Sequence, residues 1–359
     1  MGPPPPFPPL RSTLKILLCS HRFSPDIGGI ETVSALLANE FARAGHDVRV
    51  LTQTREDDGR TWPFQVVRSP SSRELLRHTG WCDVFFQNNV SLQTAWPAFL
   101  RRKPWVVAHQ TWLGATVGPA TWKVRLKRLL LRFAHNIAIS PAIAGDIGAP
   151  SIVIGNPFDA SVFRLLPDVP RDRELVFVGR LVSDKGVDLL LAALGQLASR
   201  GSRPRLTVIG TGSEEAALRS QAVTLGIAAQ VDFAGMLTGE ALARSLNRHR
   251  LIVVPSRWAE PFGVVALEGI GCGCVAIGSD QGGLPQAVGP CGVTFPNGDA
   301  TALAAAVAGL LSDDTRMAQL RSAAPAHVRE HSAASIATAY LRIFARAIGG
   351  QAADTPAGK

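Results

Sequence analysis

Two glutamates eight positions apart, Glu260 and Glu268, stand in the stretch Pro255-Ser-Arg-Trp-Ala-Glu-Pro-Phe-Gly-Val-Val-Ala-Leu-Glu268. A carboxylate only accepts hydrogen bonds, and its two oxygens can take two neighbouring hydroxyls at once. Two such groups, with loop N–H groups between them, suit a ligand with a polyol at each end and a phosphate in the middle. A nucleotide sugar fits that description. Taken alone, each glutamate also reads as a solvated loop or helix-surface residue. Arg180 and Lys185 are the cationic candidates: one follows an apolar run, and the other precedes a helical pattern. Both can converge on phosphate oxygens, Arg as a bidentate fork and Lys as a movable point charge. Gly28 and Gly29 precede another helical pattern. Adjacent glycines there let the backbone approach a ligand, and the free N–H groups and helix dipole favour a phosphate.

The elements around these residues follow from the hydrophobic pattern. Residues 251–254 are an apolar run of the length of a buried parallel strand, and residues 264–270 can start a helix. Glu260 then lies on the loop at a strand's carboxyl end, where open α/β sheets bind ligands. A strand at 14–19, a helix at 32–44 closed by Gly45 and a strand at 46–52 open the chain as a β-α-β unit. Further strands are expected at 82–87, 105–108, 136–139 and 151–154, before a polar, proline-containing linker at 164–172. The second half alternates likewise: a strand at 174–178, a helix at 187–199, and strands at 205–209 and 274–277. Ser213 is expected to N-cap the helix after Gly210-Thr-Gly212. That glycine pair lacks the rest of a dinucleotide fingerprint, so no NAD is read from it. Helices at 300–311, 316–329 and 335–347 close the chain.

A chain of 359 residues is long for one domain and comfortable for two. With 46% apolar and 18% charged residues it is globular. Its net charge of +9 favours anionic partners without choosing among nucleotide phosphates, acidic lipid and nucleic acid. The basic residues are not interleaved with base-stacking aromatics, and the chain has one tyrosine, so nucleic acid is the weakest of the three. The five cysteines lack the spacing of a zinc site and read as reduced core or loop residues of a cytosolic protein. No apolar run is long enough for a membrane span. Residues 1–13 read as a proline-rich tail rather than a signal peptide.

Glu260-Pro-Phe-Gly263 followed by Glu268 resembles the E-x7-E motif of retaining GT-B glycosyltransferases, in particular group 1 (GT4). Gly179-Arg180 with Lys185-Gly186 resembles the family's G-R-x5-K-G segment, and other matches follow in order over roughly residues 14–345. The resemblance implies an α/β GT-B fold, two Rossmann-like domains facing across a cleft with a C-terminal helix crossing back. It places an acceptor domain at 14–165, a donor domain at 172–334 and the crossing helix at 335–348. It implies transfer of a sugar from a nucleotide-diphosphate sugar with retention, to a glycan, lipid-linked or polysaccharide acceptor, as in cell-envelope biosynthesis. Arg180 and Lys185 would neutralise the diphosphate, and Gly28 and Gly29 would lie against it. Glu260, Phe262, Gly263 and Val264 would hold the sugar, Glu268 the ribose, and Gly210 and Gly235 would border the base, Gly235 at the end of a short strand, 231–235, that resembles one of the family's. His109, at the end of a strand, would hydrogen-bond the donor sugar, with a loop cap as the alternative reading. No cofactor or metal is expected, since the chain has no Asp-x-Asp. Two departures stand out. Pro157 replaces a glycine in Asn156-Pro-Phe-Asp159, and Gln286 replaces the glutamate of Gly-Gly-x-x-Glu.

Residues 122–133 pattern as a basic amphipathic helix. Trp122, Leu126, Leu129, Leu130 and Phe133 share one face, and Lys123, Arg125, Lys127, Arg128 and Arg132 cover much of the rest. Such a helix suits an anionic inner-membrane surface, and equally a core-packed helix with a solvated basic side. The expected location is cytoplasmic, with or without peripheral attachment to that membrane. Segments 54–80 and 90–103, where acceptor recognition is expected, show no readable pattern. Two other classes fit the same fold: a nucleotide-sugar epimerase or phosphorylase, and a non-catalytic sugar-nucleotide-binding protein.

Overall fold

The computed structural model describes residues 13–26, 28–114 and 122–350. The expected proline-rich tail through residue 12, and the chain end from residue 351, lie outside them. The chain forms two compact units, one comprising residues up to Ile154 together with those from Ile336 on, the other Gly155–Ser335.

The first unit is a seven-stranded parallel sheet. In chain order its strands are β1 (Lys15–Ser20), β2 (Asp47–Thr52), β3 (Gln65–Arg68), β4 (Val84–Asn88), β5 (Trp105–His109), β6 (His135–Ala138) and β7 (Ser151–Val153). Across the sheet the order is β3-β2-β1-β4-β5-β6-β7. The order therefore reverses between β1 and β4, which pair from Ile16–Val84 to Ser20–Asn88. The central strands β4 and β5 are buried at every residue, so they read as continuous apolar runs and not as alternation. Five helices connect the strands: α1 (Gly29–Arg43), α2 (Ser72–Trp81), α3 (Leu92–Leu100), α4 (Trp122–Leu131) and α5 (Pro141–Ile147). Beyond residue 335 the chain returns to this unit. There Tyr340, Ile343 and Phe344 share one core with Phe41 of α1 and Phe86 of β4. The Phe344 ring lies 5.3 Å from those of both Phe41 and Phe86, inside the range of favourable aromatic packing.

The second unit is a six-stranded parallel sheet of β8 (Arg173–Val178), β9 (Leu206–Ile209), β10 (Val231–Gly235), β11 (His249–Val254), β12 (Val275–Ser279) and β13 (Gly292–Phe295). Its order, β10-β9-β8-β11-β12-β13, reverses between β8 and β11. Eight helices accompany it: α6 (Val187–Ser199), α7 (Glu215–Thr224), α8 (Gly239–Asn247), α9 (Val264–Gly271), α10 (Leu284–Val288), α11 (Ala300–Leu311), α12 (Asp314–Ser322) and α13 (Ala324–Glu330). A last helix, α14 (Ala333–Ile348), begins here and continues into the first unit.

Several boundaries depart from expectation. The stretch expected to link the domains, 164–172, is part of the second unit. Its polar groups are fastened there: Asn247 Oδ1 accepts from the Leu166 N–H at 2.9 Å, and Arg171 donates to the carbonyls of His249 and Cys272. The expected helix at 316–329 is two helices, because Pro325 in the first turn of α13 has no N–H to continue the ladder of α12. Ser213 is not the cap of α7; Glu214 takes that position without a side-chain hydrogen bond. The region 54–80 holds β3 and α2, and α2 begins with a capping box in which Ser71 and Glu74 satisfy each other's backbone N–H. All five cysteines are buried and unpaired. No helix among the described residues is long and apolar enough to cross a membrane.

Candidate active site

In the second unit the candidate residues gather where the strand order reverses. Arg180 follows β8, Glu260 lies on the loop after β11, and the two strands are neighbours. Lys185 sits in a single 3-10 turn, Ser183–Lys185, ahead of α6. Two backbone N–H groups of the β11 loop, from Arg257 (2.8 Å) and Trp258 (3.1 Å), donate to the Asp184 carbonyl. Arg257 also pairs with Asp188. Between the two loops, Gly186 has φ +70°, and a Cβ there would overlap the Pro255 carbonyl oxygen. Only glycine lets the two segments lie this close.

The close approach sets up the central contact of the site. Lys185 Nζ lies 2.5 Å from Glu260 Oε1, with the two side chains 22% and 13% exposed. The pair is thus shielded from bulk water but still reachable. Ser256 Oγ donates to the same oxygen at 2.8 Å. Glu260 Oε2 has no partner among the described residues, and neither has the exposed Arg180 guanidinium. After Glu260 the chain turns through Phe262, whose ring is buried against His331, and Gly263, which has φ +101° and precedes α9. The backbone N–H groups of Phe262, Gly263, Val264 and Val265 have no acceptor among the described residues. Free donors at a helix start form a cradle for an anion or a hydroxyl oxygen.

Glu268 is the fifth residue of α9 and is half-buried, not a surface residue. Burial, reinforced by the neighbouring Asp159 charge, pushes its carboxyl up to about 7. Gly210 and Gly235 are joined by a 2.7 Å hydrogen bond from the Gly210 N–H to the Gly235 carbonyl. A side chain on Gly210 would overlap the Gly179 carbonyl, whereas one on Gly235 would meet open space. Gln286 leaves a buried amide oxygen without a hydrogen bond in the same region, where the Gly283 N–H donates to the Glu260 carbonyl at 2.7 Å.

The first unit places its candidates apart. Gly28 and Gly29 stand at the start of α1, where the Thr32 N–H donates back to the Gly28 carbonyl. His109 ends β5, two strands from β1, and is fully buried. It is not a loop cap. Asn136 Nδ2 donates to the carbonyls of Leu131, Ala134 and Pro150, so its Oδ1 is left to accept from His109 Nε2 at 3.1 Å. His109 Nδ1 is a buried acceptor without a partner among the described residues. Burial holds the imidazole down at about 4, so it is neutral at pH 7 and suited to hydrogen bonding rather than to carrying charge. A cavity of about 370 Å³ opens where this sheet reverses, with His21, Arg22, Glu31, Asn89, Ser91 and Gln93 among its lining residues.

Sequence reasoning did not find Ser256, Asp159 or Asn136. Ser256 stands four positions before Glu260, but nothing in that spacing says that a loop will fold its hydroxyl onto the carboxylate. The basic helix α4 ends at Leu131, two residues short of the expected 133, and differs from the core-packed alternative: Leu131 is its one buried residue, and Trp122, Leu129 and, in the turn after it, Phe133 are 69%, 53% and 72% exposed. Its Arg128 is not a free surface charge, because it donates to the Asp146 carbonyl at 3.0 Å.

Residues 166–327 match the family model described as glycosyl transferases group 1. The chain is 35% identical over 210 residues to the glycogen synthase of Mycobacterium tuberculosis, covering 57% of this chain and 50% of that protein. It is 34% identical over 184 residues to the D-inositol 3-phosphate glycosyltransferase of Rhodococcus opacus, covering 48% and 41%. The chain spans about half the length of the curated relatives it matches. Among solved structures it resembles Anabaena HepE in complex with UDP, with a TM-score of 0.76 over 91% of this chain and 98% of that one, at 20% identity. That likeness is one of fold: two Rossmann-like parallel-sheet units, of the GT-B type.

Proposed function

We propose that the chain is a glycosyltransferase that moves a sugar from a nucleotide-diphosphate sugar to a hydroxyl of a glycan, lipid-linked or polysaccharide acceptor, with retention and without a metal. The observation that carries this reading is the meeting, at the switch point of the second sheet, of Arg180, Lys185 and Glu260 with unpaired N–H groups at the start of α9. Arg180 and Lys185 hold the diphosphate and take up the negative charge that grows on it as the sugar C1–O bond breaks. Glu260 Oε2 and the N–H groups of Phe262, Gly263 and Val264 hold the sugar hydroxyls. Glu268, ionised above about pH 7, accepts from the ribose. The cavity of the first unit takes the acceptor, its size suiting a small carbohydrate and its lining offering both donors and acceptors to hydroxyls. Attack by the acceptor hydroxyl on the face the diphosphate leaves would retain configuration.

HepE was solved with UDP, so UDP-sugars come first in a panel with GDP- and ADP-sugars. A ligand that binds only the folded state raises the melting temperature by mass action. A shift for one nucleotide, kept in EDTA and followed by release of the nucleoside diphosphate when acceptor is added, supports the transferase. Binding without release would favour a sugar-nucleotide-binding protein, and epimerised donor without release would favour an epimerase.

A second reading concerns location. The outward apolar side chains of α4, with Lys123, Arg125 and Arg132 beside them, suit peripheral binding to an anionic membrane. Flotation with vesicles containing phosphatidylglycerol, but not with neutral vesicles, is the expected result. Trp122→Glu with Phe133→Glu should abolish it.

A further inference from the structure

Lys185 and Ser256 do different things for the oxygen they share. A lysine ammonium is a point charge on a flexible stem and donates to either carboxylate oxygen equally well. A buried hydroxyl is directional. Ser256 is 1% exposed, so its proton has no water to turn to, and it meets Glu260 Oε1 at 2.8 Å. Its own backbone is pinned, since the fully buried Ser279 Oγ donates to the Ser256 carbonyl at 2.9 Å. The Glu260 main chain is pinned as well, by the Gly283 N–H on its carbonyl. With the Glu260 main chain and one carboxylate oxygen both anchored, the hydroxyl fixes the orientation of the carboxylate and so the direction in which its other oxygen points.

We propose that Ser256 is a positioning residue for Glu260: it fixes Oε1 beside Lys185 and so presents Oε2, with both its lone pairs, to the donor sugar. The proposal rests on the transferase reading of the site. Ser256 touches neither the sugar nor the nucleotide and acts through Glu260. Its loss should therefore weaken recognition of the sugar and leave recognition of the nucleoside diphosphate unchanged.

The test is calorimetric binding of UDP, UDP-glucose, GDP, GDP-mannose, ADP and ADP-glucose to wild type, Ser256→Ala, Ser256→Cys, Glu260→Gln and the Ser256→Ala/Glu260→Gln double variant. Cysteine keeps the buried volume with a much poorer donor, which covers the case that alanine fails to fold. For the nucleotide that wild type binds, the serine variants should bind the free diphosphate as wild type does. They should lose roughly 10- to 150-fold in affinity for the sugar form, the range expected for one hydrogen bond to a charged group. The double variant should be no worse than Glu260→Gln, because the serine acts through that glutamate. Serine variants that discriminate sugar from diphosphate as wild type does, or additive losses in the double variant, overturn the proposal alone. Wild type that binds none of the six ligands overturns the transferase reading, and the positioning role falls with it.

Discussion

Replacing Glu268 by glutamine separates what the fold wants from what the site needs. Burial and the Asp159 charge push this carboxyl from 4.5 up to about 7, so the folded chain binds its proton more tightly than the unfolded chain does. The stability that goes with the neutral form is fully present below about pH 4.5 and is lost as pH rises through about 7. A shift of that size corresponds to roughly 3 kcal/mol once the group is ionised, as an upper bound because the side chain keeps some solvent contact. Glutamine has the same shape and no charge. Glu268→Gln should therefore match wild type in stability near pH 4.5 and exceed it by about 2 kcal/mol at pH 8, a rise of roughly 5 °C in the melting of the second unit. In the same samples the protection given by a nucleoside diphosphate should shrink, because an amide offers the ribose one acceptor oxygen in place of two. Stability gained where binding is lost is the pattern expected of a residue kept for function. A variant no more stable than wild type at pH 8, or one with the same advantage at pH 5 as at pH 8, would refute the reasoning.

Three further outcomes follow from other parts of the molecule. Gly186→Ala forces a positive φ on alanine and drives its Cβ into the Pro255 carbonyl, so it should part the loops bearing Lys185 and Glu260 and abolish nucleotide-dependent thermal shifts. Phe344→Ala removes a ring packed on Phe41 and Phe86 and should cost the first unit about 3–5 kcal/mol in denaturant unfolding, with nucleotide binding to the second unit preserved. His249 is buried with Nδ1–H on the Ser245 carbonyl and Nε2 accepting from Thr207 Oγ1, and burial holds it down at about 4. Its contribution is complete above about pH 6.5 and is lost as pH falls through about 4, so His249→Gln should flatten the acid limb of the stability curve by about one proton.

Much of the fold was legible because parallel strands buried on both faces leave continuous apolar runs. The helices 187–199 and 300–311 have the bounds read from pattern alone, and the strand 231–235 has those the family resemblance implied. The short, half-buried β3 left no such run, and the capping box of α2 was a readable signal that went unread. The linker misled because a polar, proline-bearing stretch looks the same whether its groups face water or, as here, Asn247 and a backbone that Arg171 joins.

The sequence by itself determined the chemistry of the candidate site: two carboxylates, two cations and a glycine-relaxed loop, on or beside the loops that follow two apolar runs. Those are local facts of residue type and spacing. Tertiary structure decided how the groups are used. It set Lys185 and Ser256 on one oxygen of Glu260, raised Glu268 beside Asp159, and enclosed His109 against Asn136. None of these could be read in advance, because burial and the direction of a hydrogen bond belong to residues brought together from distant parts of the chain. Lys185 and Glu260, 75 positions apart, meet only because β8 and β11 are neighbours where the sheet reverses.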